Sequence, residues 1–483
     1  MNRTMGWRQG WPGSGRRRQG GNREKIHGIG THEGRGSGRK GSGSMRRGKS
    51  ALAGWAAGAF WLGLWALLAA AADNDILLAS PIETGLRLFG LLGQVEFYRI
   101  VGGSLLRIMI GFGSGFFAAL VLAAGSYRFW LLEQLLAPVM ELMKTVPIAS
   151  FAVMLLIWWG SSGLTAAVSL LVVLPNVYIC TLEGLQAMDI RLLEMAAVFR
   201  LPFWSRFFYI YRPALKPFLL GGLKNSLGMC WKAGVAAELI GIPAHSIGER
   251  LYLSKLYLDT AGVFAWTGIT VLASVLLEKL VLGLLGLFFK WEPRCKKKAQ
   301  DSGEACLWVQ NIRKGYGGRA VLEDVSRVYE PGGTYFLNGP SGSGKTTLLR
   351  ILAGLTEPDS GICQAPGTCS MVFQEDRLCE EYSAVRNVEL VTGDRNSARE
   401  ALAGLLEEDA LEKPCGLLSG GMKRRVALVR AMEADSAYVF LDEPFTGMDQ
   451  GTRRLAEAYV AARQKGRILI IAAHDKAGFE NES

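Results

Sequence analysis

The sequence has few residues that could form a structural metal site or a disulfide framework. Its eight cysteines and four histidines include no Cys-x-x-Cys pair and no Cys/His spacing that suits zinc. Most of the cysteines lie in the C-terminal half, which we interpret as cytosolic. We therefore expect free thiols, because disulfides are rare in the cytosol.

A net positive charge is also lacking outside one short stretch of the 483-residue chain. The formal net charge is +11, but the first fifty residues hold 13 Lys and Arg residues against two acidic ones. The other residues hold 41 basic and 41 acidic side chains, so we expect no nucleic-acid partner for the folded body. Hydrophobic residues make up 49%, which excludes a mostly disordered protein.

The basic stretch predicts a disordered N-terminal tail over residues 1–48. It consists largely of Gly, Arg and Ser and has too little aliphatic content to bury a core. One functional alternative is a tail that binds RNA or lipid headgroups. A further alternative, which we favour, is that the protein starts at Met45, because Arg46, Arg47 and Lys49 then precede a long apolar run directly.

Long uncharged runs predict an α-helical membrane domain over residues 49–298 with about six spans. Residues 145–182 carry no charge over 38 positions, but the glycines within residues 160–163 interrupt the run, which therefore predicts two helices and a tight turn. Lys224 and Lys232 interrupt a weaker span and would have to face the bundle interior or a water-filled path. The apolar runs that predict spans are residues 51–72, 108–127, 145–182, 213–237 and 261–289.

The distribution of Lys and Arg between these runs predicts the orientation of the membrane domain. The N-terminal flank is basic, and residues 184–216 carry five basic and two acidic side chains. The last span is followed by the basic residues Lys290, Arg294 and Lys296. Both termini, and the domain that follows the last span, are therefore expected in the cytosol.

The composition changes near residue 299. Residues 299–305 are short and polar and predict a linker. Residues 306–483 alternate short β-type runs with helical stretches, which predicts an α/β domain with a largely parallel sheet.

A phosphate-binding loop is predicted where Gly, four residues and Gly-Lys-Thr follow a short β-type run and precede a helical one. Its glycines let backbone N–H groups turn toward phosphates, and the helix N-terminus adds positive charge. In this pattern the lysine neutralises phosphate charge and the first threonine ligates Mg²⁺. The predicted nucleotide-binding residues here are Gly339, Pro340, Ser341, Gly342, Ser343, Gly344, Lys345, Thr346 and Thr347.

Two acidic residues end the apolar β-type run at residues 437–441. A buried parallel strand that delivers carboxylates at its C-terminal end suits a Mg²⁺ site beside a phosphate loop. Asp442 is the predicted metal ligand, together with Thr346. Glu443 is predicted to polarise the attacking water.

Residues 418–422, Leu-Ser-Gly-Gly-Met, open a helix with Ser419 at its cap position. Together with the preceding motifs, they resemble the ATPase of ABC transporters, and the elements occur in that family's order. The resemblance extends over nearly all of residues 306–483 and implies an ABC-type P-loop NTPase that uses ATP and Mg²⁺.

The resemblance also implies roles for single residues. Tyr316 is similar to the aromatic residue that stacks on adenine. Gln374 is similar to the glutamine that links Mg²⁺ and water to the membrane domain. Asp449 is similar to the aspartate that contacts the second ATPase, and His474 to the histidine that senses the γ-phosphate. The implied catalytic residues are Glu443, His474 and Gln374.

The resemblance implies that two ATPase domains share each nucleotide. Lys345 of one copy and the residues Ser419, Gly420 and Gly421 of the other would bind the same ATP. Because the chain carries one copy of each motif, a working unit needs two chains, either as a homodimer or with a related half-transporter.

The membrane half also resembles a known family. Glu194-Met-Ala-Ala, followed further on by Arg212-Pro213, resembles the cytoplasmic loop of binding-protein-dependent ABC importers. In that family the loop, here about residues 190–216, forms a coupling helix seated in the ATPase near the glutamine. Met195 replaces the first alanine of the family pattern, and Arg200 stands where glycine is usual.

The two resemblances imply a fused permease–ATPase of the type I importer class in a bacterial cell membrane. The wider pattern of the membrane half looks like permeases for nitrate, sulfonate and taurine. The expected function is therefore ATP-driven import of a small anion of this kind, or of a vitamin precursor, delivered by an extracytoplasmic binding protein. A half-exporter and a membrane-anchored regulatory ATPase remain alternatives.

Overall fold

The computed structural model describes residues 42–72, 74, 76–291, 306–340 and 342–473, with only the backbone course for residues 42–55. The chain divides into two compact units, Met1–Leu67 and Leu68–Ser483. Helix α1, Ser42–Ala72, begins inside the predicted disordered tail, so residues 42–48 are helical rather than disordered. The remainder of that predicted tail lies outside the described residues.

The membrane part of the second unit is built from helices. A π-helical turn, Phe207–Tyr211, joins α7 to α8. The helices are α2 (Pro81–Leu92), α3 (Val95–Arg128), α4 (Trp130–Thr145), α5 (Ile148–Gln186), α6 (Ile190–Val198), α7 (Phe203–Arg206), α8 (Arg212–Gly241), α9 (Ile247–Leu256) and α10 (Thr260–Lys290).

Three helices of the described residues, α3, α5 and α10, are long and apolar enough to cross a membrane, and Ala56–Ala72 forms a shorter apolar helix. The predicted count of about six spans is therefore not reproduced by length and composition. The prediction of two helices and a turn within residues 145–182 is confirmed, because the backbone at Gly160 (φ 67°, ψ 179°) is not helical and divides α5 into two helical segments. The first segment is only about 18 Å long, which is too short to cross a membrane. The weaker predicted span lies in α8, which carries five charged residues.

Small residues bring α3, α5 and α8 into close contact, as is typical of membrane helices. A methyl group added at Gly111 of α3 would lie 2.2 Å from the carbonyl oxygen of Ala166 in α5. One added at Gly234 of α8 would lie 2.7 Å from Cγ1 of Ile108 in α3. The backbones of these helices therefore touch at positions where only glycine fits.

The ATPase-like part of the second unit contains two sheets. The strands are β1 (Leu307–Tyr316), β2 (Arg319–Tyr329), β3 (Thr334–Leu337), β4 (Ser360–Gln364), β5 (Cys369–Val372), β6 (Tyr438–Asp442) and β7 (Ile468–Ala472). An antiparallel sheet has the order β2-β1-β4, and a parallel sheet has the order β3-β7-β6-β5. The helices are α11 (Lys345–Leu352), α12 (Ala384–Thr392), α13 (Arg395–Ala403), α14 (Glu408–Leu411), α15 (Gly420–Glu433) and α16 (Gln450–Ala462).

The parallel sheet determines where the predicted motifs meet. The phosphate loop follows β3, Gln374 follows β5, and the acidic pair ends β6. Since the carboxyl ends of parallel strands lie at one edge, these loops are neighbours. The predicted fold class, a helical membrane domain followed by an α/β P-loop domain, is confirmed.

We expect Gly111→Ala to destabilise the membrane domain, because the added methyl would overlap the α5 backbone. The apparent Tm of the full chain in detergent should fall by roughly 2–10 °C. Gly113→Ala is the matched control, since a methyl there would meet no atom within 4 Å. Equal Tm values for both variants would contradict the close packing of α3 on α5.

Candidate active site

The phosphate loop forms a tight turn between β3 and α11. Gly342 and Gly344 have φ values of 84° and 88°, in the left-handed region that favours glycine. A methyl at Gly344 would also lie 2.6 Å from Cδ2 of Leu322 in β2. The Lys345 ammonium donates to the carbonyl oxygens of Gly339 (2.6 Å) and Pro340 (3.1 Å), so the lysine folds back over the loop.

Thr346 and Asp442 form an oxygen-rich corner at the end of β6. Asp442 is 2% exposed, and the Thr346 hydroxyl donates to its carboxylate. Its Oδ2 atom has no hydrogen-bond partner among the described residues. Burial raises the pKa of Asp442; the Thr346 hydrogen bond opposes that rise, as do the charges of Arg424 and Lys345, while the charge of Glu443 adds to it.

This corner fits Mg²⁺. The ion prefers oxygen ligands and usually takes only one or two from the protein, with phosphates and water supplying the rest. No group of three His, Cys, Asp or Glu residues in the described part of the chain could hold a metal without such help. The unfilled acceptor at Asp442 Oδ2 and the Thr346 hydroxyl are thus suited to a nucleotide-bound Mg²⁺.

Glu443 occupies a sharp turn directly after β6. Its φ is 48°, a conformation that costs about 1–2 kcal/mol for a residue with a side chain. The turn is fixed by its N–H, which donates to the carbonyl oxygen of Ala472 (2.9 Å), and the Thr446 hydroxyl donates to Oε2 (3.4 Å). The structure therefore brings the Glu443 carboxylate near that of Asp442.

Arg424 is a site residue that the sequence analysis did not identify. Its buried guanidinium donates to the backbone oxygens of Phe373, Gln374 and Asp442, and to that of Glu443 at 2.6 Å. It therefore joins the loop after β5 to the loop after β6. The sequence gives little signal for this role, since Arg424 is one of several basic residues in α15 and only the fold shows that it is buried.

Tyr316 lies at the end of β1, beside the hairpin that leads to β2. Its ring is 52% exposed, and the Lys314 ammonium lies 5.6 Å from the ring centroid. The phosphate loop contacts β2 through Gly344. An exposed aromatic ring at this edge is available for stacking on a nucleotide base.

Ser419 and Asp449 cap two neighbouring helices. Ser419 accepts from the N–H of Met422 (3.4 Å), and Asp449 accepts from that of Thr452 (3.1 Å). A methyl at Gly421 would lie 3.0 Å from the carbonyl oxygen of Gly447, so the two segments are close together. Within the described residues, no hydrogen bond joins residues 419–421 to the phosphate loop of the same chain. The predicted site residues Ser341 and His474 lie outside the described residues.

Glu194 of helix α6 forms ion pairs with two arginines of the ATPase-like part. Its carboxylate lies 2.7 Å and 3.1 Å from the terminal nitrogens of Arg350 and 2.6 Å from one of Arg377. Arg350 belongs to α11, which begins at the phosphate loop, and Arg377 follows Gln374 in the chain. Burial alone would raise the pKa of Glu194, but the hydrogen bonds and charges of both arginines outweigh it and lower the pKa.

Apolar packing extends the contact around this carboxylate. Met195 is fully buried in one hydrophobic cluster with β6, β7 and α15. The buried guanidinium of Arg430 in α15 lies 5.2 Å from the centroid of the Phe199 ring and donates to the carbonyl oxygen of Arg377 (2.9 Å). Burial lowers the pKa of Arg430 to about 10. The loop after α5 is therefore part of the ATPase core.

The two departures from the family pattern each fill a specific place. Arg200 has φ 46°, the left-handed region in which glycine is usual. Unlike glycine, it donates a side-chain hydrogen bond to the carbonyl oxygen of Gly367 (3.1 Å). Met195 supplies buried volume in place of alanine. Both departures thus add contacts to the same interface.

Arg212 forms a second connection between the membrane helices and the ATPase-like part. At the start of α8, it donates to the carbonyl oxygens of Phe288 (3.0 Å) and Trp291 at the end of α10. It also donates to the hydroxyl of Tyr382 (3.0 Å), which in turn donates to the carbonyl oxygen of Phe208 (2.9 Å). One side chain therefore joins two membrane helices and the loop that leads to α12.

Comparison with known families gives two matches along the chain. Residues 111–289 match the family of binding-protein-dependent transport system inner membrane components, and residues 322–446 match the ABC transporter family. The chain belongs to the ABC transporter family. This ABC transporter chain joins a permease domain and an ABC-type ATPase domain, as the sequence predicted. The predicted enzyme class, an ATP hydrolase, follows from the second domain.

Several relatives of this ABC transporter chain are ATPase subunits. It is 36% identical over 174 residues to the aliphatic sulfonates import ATP-binding protein SsuB 3 of Rhodococcus jostii, covering 35% of this chain and 65% of the relative. It is 37% identical over 177 residues to SsuB 1 of Nocardia farcinica, covering 35% and 71%. The chain thus spans just under two thirds of the first relative.

A solved structure also resembles the ATPase domain. The dimeric post-hydrolysis state of the ATP-binding cassette MJ0796, bound to ADP and Pi, is 25% identical, with a TM-score of 0.32. The match covers 35% of this chain and 88% of that chain.

We expect Glu443→Gln to bind ATP but to lose turnover. The amide keeps the shape of the side chain, whereas loss of a general base lowers the rate by roughly 10²–10⁴-fold. Steady-state ATPase and nucleotide binding of the purified chain measure the two effects. Glu412→Gln, at an exposed ion pair with Arg395, is the control. Near-normal ATPase activity of Glu443→Gln would contradict the assignment.

Proposed function

We propose that the chain is the fused permease–ATPase subunit of an importer that takes up small organic anions, sulfonates among them, in a bacterial cell membrane. The main support for this proposal is the pair of ion pairs that Glu194 forms with Arg350 and Arg377, because they connect the permease directly to the helix of the phosphate loop. The sulfonate importers among the relatives support the solute class.

Two chains form the working unit in this proposal. Residues 419–421 make no hydrogen bond to the phosphate loop in one chain, within the described residues, and a second copy can supply them to a bound ATP. The pair is a homodimer or includes a related half-transporter. Membrane lipid surrounds the permease pair, an extracytoplasmic binding protein delivers the solute, and the ATPase domains and both termini lie in the cytosol.

Each of the predicted site residues has a separate role at the nucleotide. Lys345 and the loop N–H groups bind the phosphates, and Tyr316 stacks on the base. Thr346, Asp442 and Gln374 would hold Mg²⁺, which would supply positive charge to the phosphates. Glu443 orients the attacking water and accepts its proton, and His474 contacts the γ-phosphate. Asp449 contacts the second ATPase domain.

Closure of the two ATPase domains moves the permease through α6. Arg350 moves with the phosphate loop, and Arg377 moves with the Gln374 segment, so their common partner Glu194 follows both. Arg212 carries the same movement to α8 and α10 through Tyr382. Hydrolysis then releases the pair and resets the permease.

The importer is tested by uptake into vesicles. The full chain is reconstituted with ATP inside, and a purified sulfonate-binding protein delivers radiolabelled taurine or ethanesulfonate outside. We expect ATP-dependent accumulation that Glu443→Gln abolishes. Export of solute would instead support a half-exporter, and ATP hydrolysis without any flux would support a regulatory ATPase; either result would contradict the proposal.

We expect Glu194→Gln to uncouple hydrolysis from the permease. The amide removes the negative charge that Arg350 and Arg377 share and leaves Glu375 as the nearest carboxylate to Arg377, so stimulation of the ATPase by solute-loaded binding protein should fall about tenfold. Basal ATPase activity should stay within about twofold, because Glu194 does not contact the nucleotide loop itself.

Glu381→Gln is the control for this variant. Its carboxylate lies at the same interface but is 57% exposed and 3.9 Å from Lys216. Such exposed pairs contribute little. Full stimulation of Glu194→Gln, or an equal loss in Glu381→Gln, would show that the ion pairs of Glu194 do not couple the two domains.

A further inference from the structure

Helix α8 has one packed face and one open face. On the packed face, a methyl at Gly222 would lie 2.6 Å from the sulfur of Cys180, and one at Gly234 would lie 2.7 Å from Ile108. On the other face, methyl groups at Gly221 and Gly228 would meet no atom within 4 Å. Open space therefore runs along one side of this helix.

The open face carries positive charge. Lys224, Asn225 and Lys232 are exposed on it, and the two lysines are about 80° apart around the helix and about 12 Å apart along it. Neither lysine forms an ion pair or hydrogen bond with any residue in the described ranges. Their ammonium groups are therefore free to meet a ligand from outside the chain.

These lysines lie at the level of the apolar helices. The indole N–H of Trp231 donates to the carbonyl oxygen of Thr270 in α10 (3.0 Å), and Gly222 abuts Cys180 in α5. Both α5 and α10 are long enough to cross a membrane. Lys224 and Lys232 therefore lie on a helix that packs against two apolar helices, each long enough to span a membrane.

The open face of α8 differs from the faces that meet lipid. Helix α3 exposes Leu106 and Phe117, and helix α10 exposes Leu272 and Leu276. Lipid tolerates these side chains, whereas ammonium groups within a membrane require water or a counter-charge. The open face of α8 is thus unsuited to lipid.

Acidic groups among the described residues do not pair with Lys224 or Lys232. The carboxylate of α8, Glu238, is fully buried on the packed side. It accepts from the Ser104 hydroxyl (2.7 Å) and pairs with Arg107 (3.0 Å). Water and an anion from solution therefore remain as partners for the two lysines.

We propose that the open faces of α8 from two copies line a water-filled path, in which Lys224 and Lys232 attract a small organic anion. This inference rests on the proposed importer and names the chemistry that selects its solute. Ammonium groups act as point charges toward sulfonate or carboxylate oxygens. Asn225 adds an amide donor, and Gly221 and Gly228 leave room for the solute.

The path is tested by thiol labelling of Asn225→Cys in membranes. The probes are two methanethiosulfonate reagents, one with an ethylsulfonate group and one with an ethyltrimethylammonium group, and peptide mass spectrometry reads the modified site. Thiolates form in water but not in lipid. Leu272→Cys, at the lipid face of α10, is the matched control. We expect Asn225→Cys to react about tenfold faster than the control.

Charge selection is tested in the same background. The sulfonate reagent should modify Asn225→Cys faster than the cationic one, and adding Lys224→Gln and Lys232→Gln should lower that rate ratio about tenfold. Gly228→Cys repeats the measurement at a second open position. An unreactive cysteine at both positions, or a rate ratio that ignores the lysines, would overturn the inference.

Labelling distinguishes this inference from the proposed function, because it requires neither ATP hydrolysis nor transport. Charge-selective labelling without solute uptake would count against the importer and for the path. Uptake of a sulfonate with unreactive cysteines on α8 would count against the path and for the importer.

Discussion

The ion pairs of Glu194 with Arg350 and Arg377 are the interaction on which the rest of the account depends. One carboxylate of the permease touches both the helix of the phosphate loop and the segment after Gln374. Moving either arginine away would leave this partly buried carboxylate with only one of its two charge partners, which is unfavourable. The position of α6 therefore depends on both segments of the nucleotide site, the one that carries Arg350 and the one that carries Arg377.

Arginines that donate to backbone oxygens extend this connection. Arg424 joins the loops after β5 and β6, and Arg430 joins the same region to Phe199 of the coupling loop. Arg212 joins α8 and α10 to Tyr382. A guanidinium offers several donors in a fixed plane, which suits it to hold two or three loop carbonyls at once. The loops around the nucleotide site are thus fixed to the permease as one body.

The sequence predicted those parts of the site whose functional residues are close together in the chain. The phosphate loop, its flanking elements and the acidic pair after β6 follow from short contiguous patterns. Contacts such as Glu194 with Arg350 join residues far apart in the chain. The identity of a charged residue also does not predict whether the fold will bury it. No sequence pattern predicts the roles of Arg424 and Arg212, because most of their partners are backbone oxygens, which every residue has.

The span count shows a different limit. Hydropathy located the break in residues 145–182, where Gly160 kinks α5, but it could not show that the first segment is too short to cross a membrane. Likewise, the charges in α8 weakened it as a predicted span, although its packed face places it among the membrane helices.

A double-mutant cycle on Glu194 and Arg350 tests the central claim most directly. The quantity measured is the stimulation of ATPase activity by solute-loaded binding protein in Glu194→Gln, Arg350→Gln and the double variant. If the pair acts as one unit, the double variant should lose no more stimulation than the more impaired single variant. Losses that multiply in the double variant would show that the two residues act independently and would contradict the account.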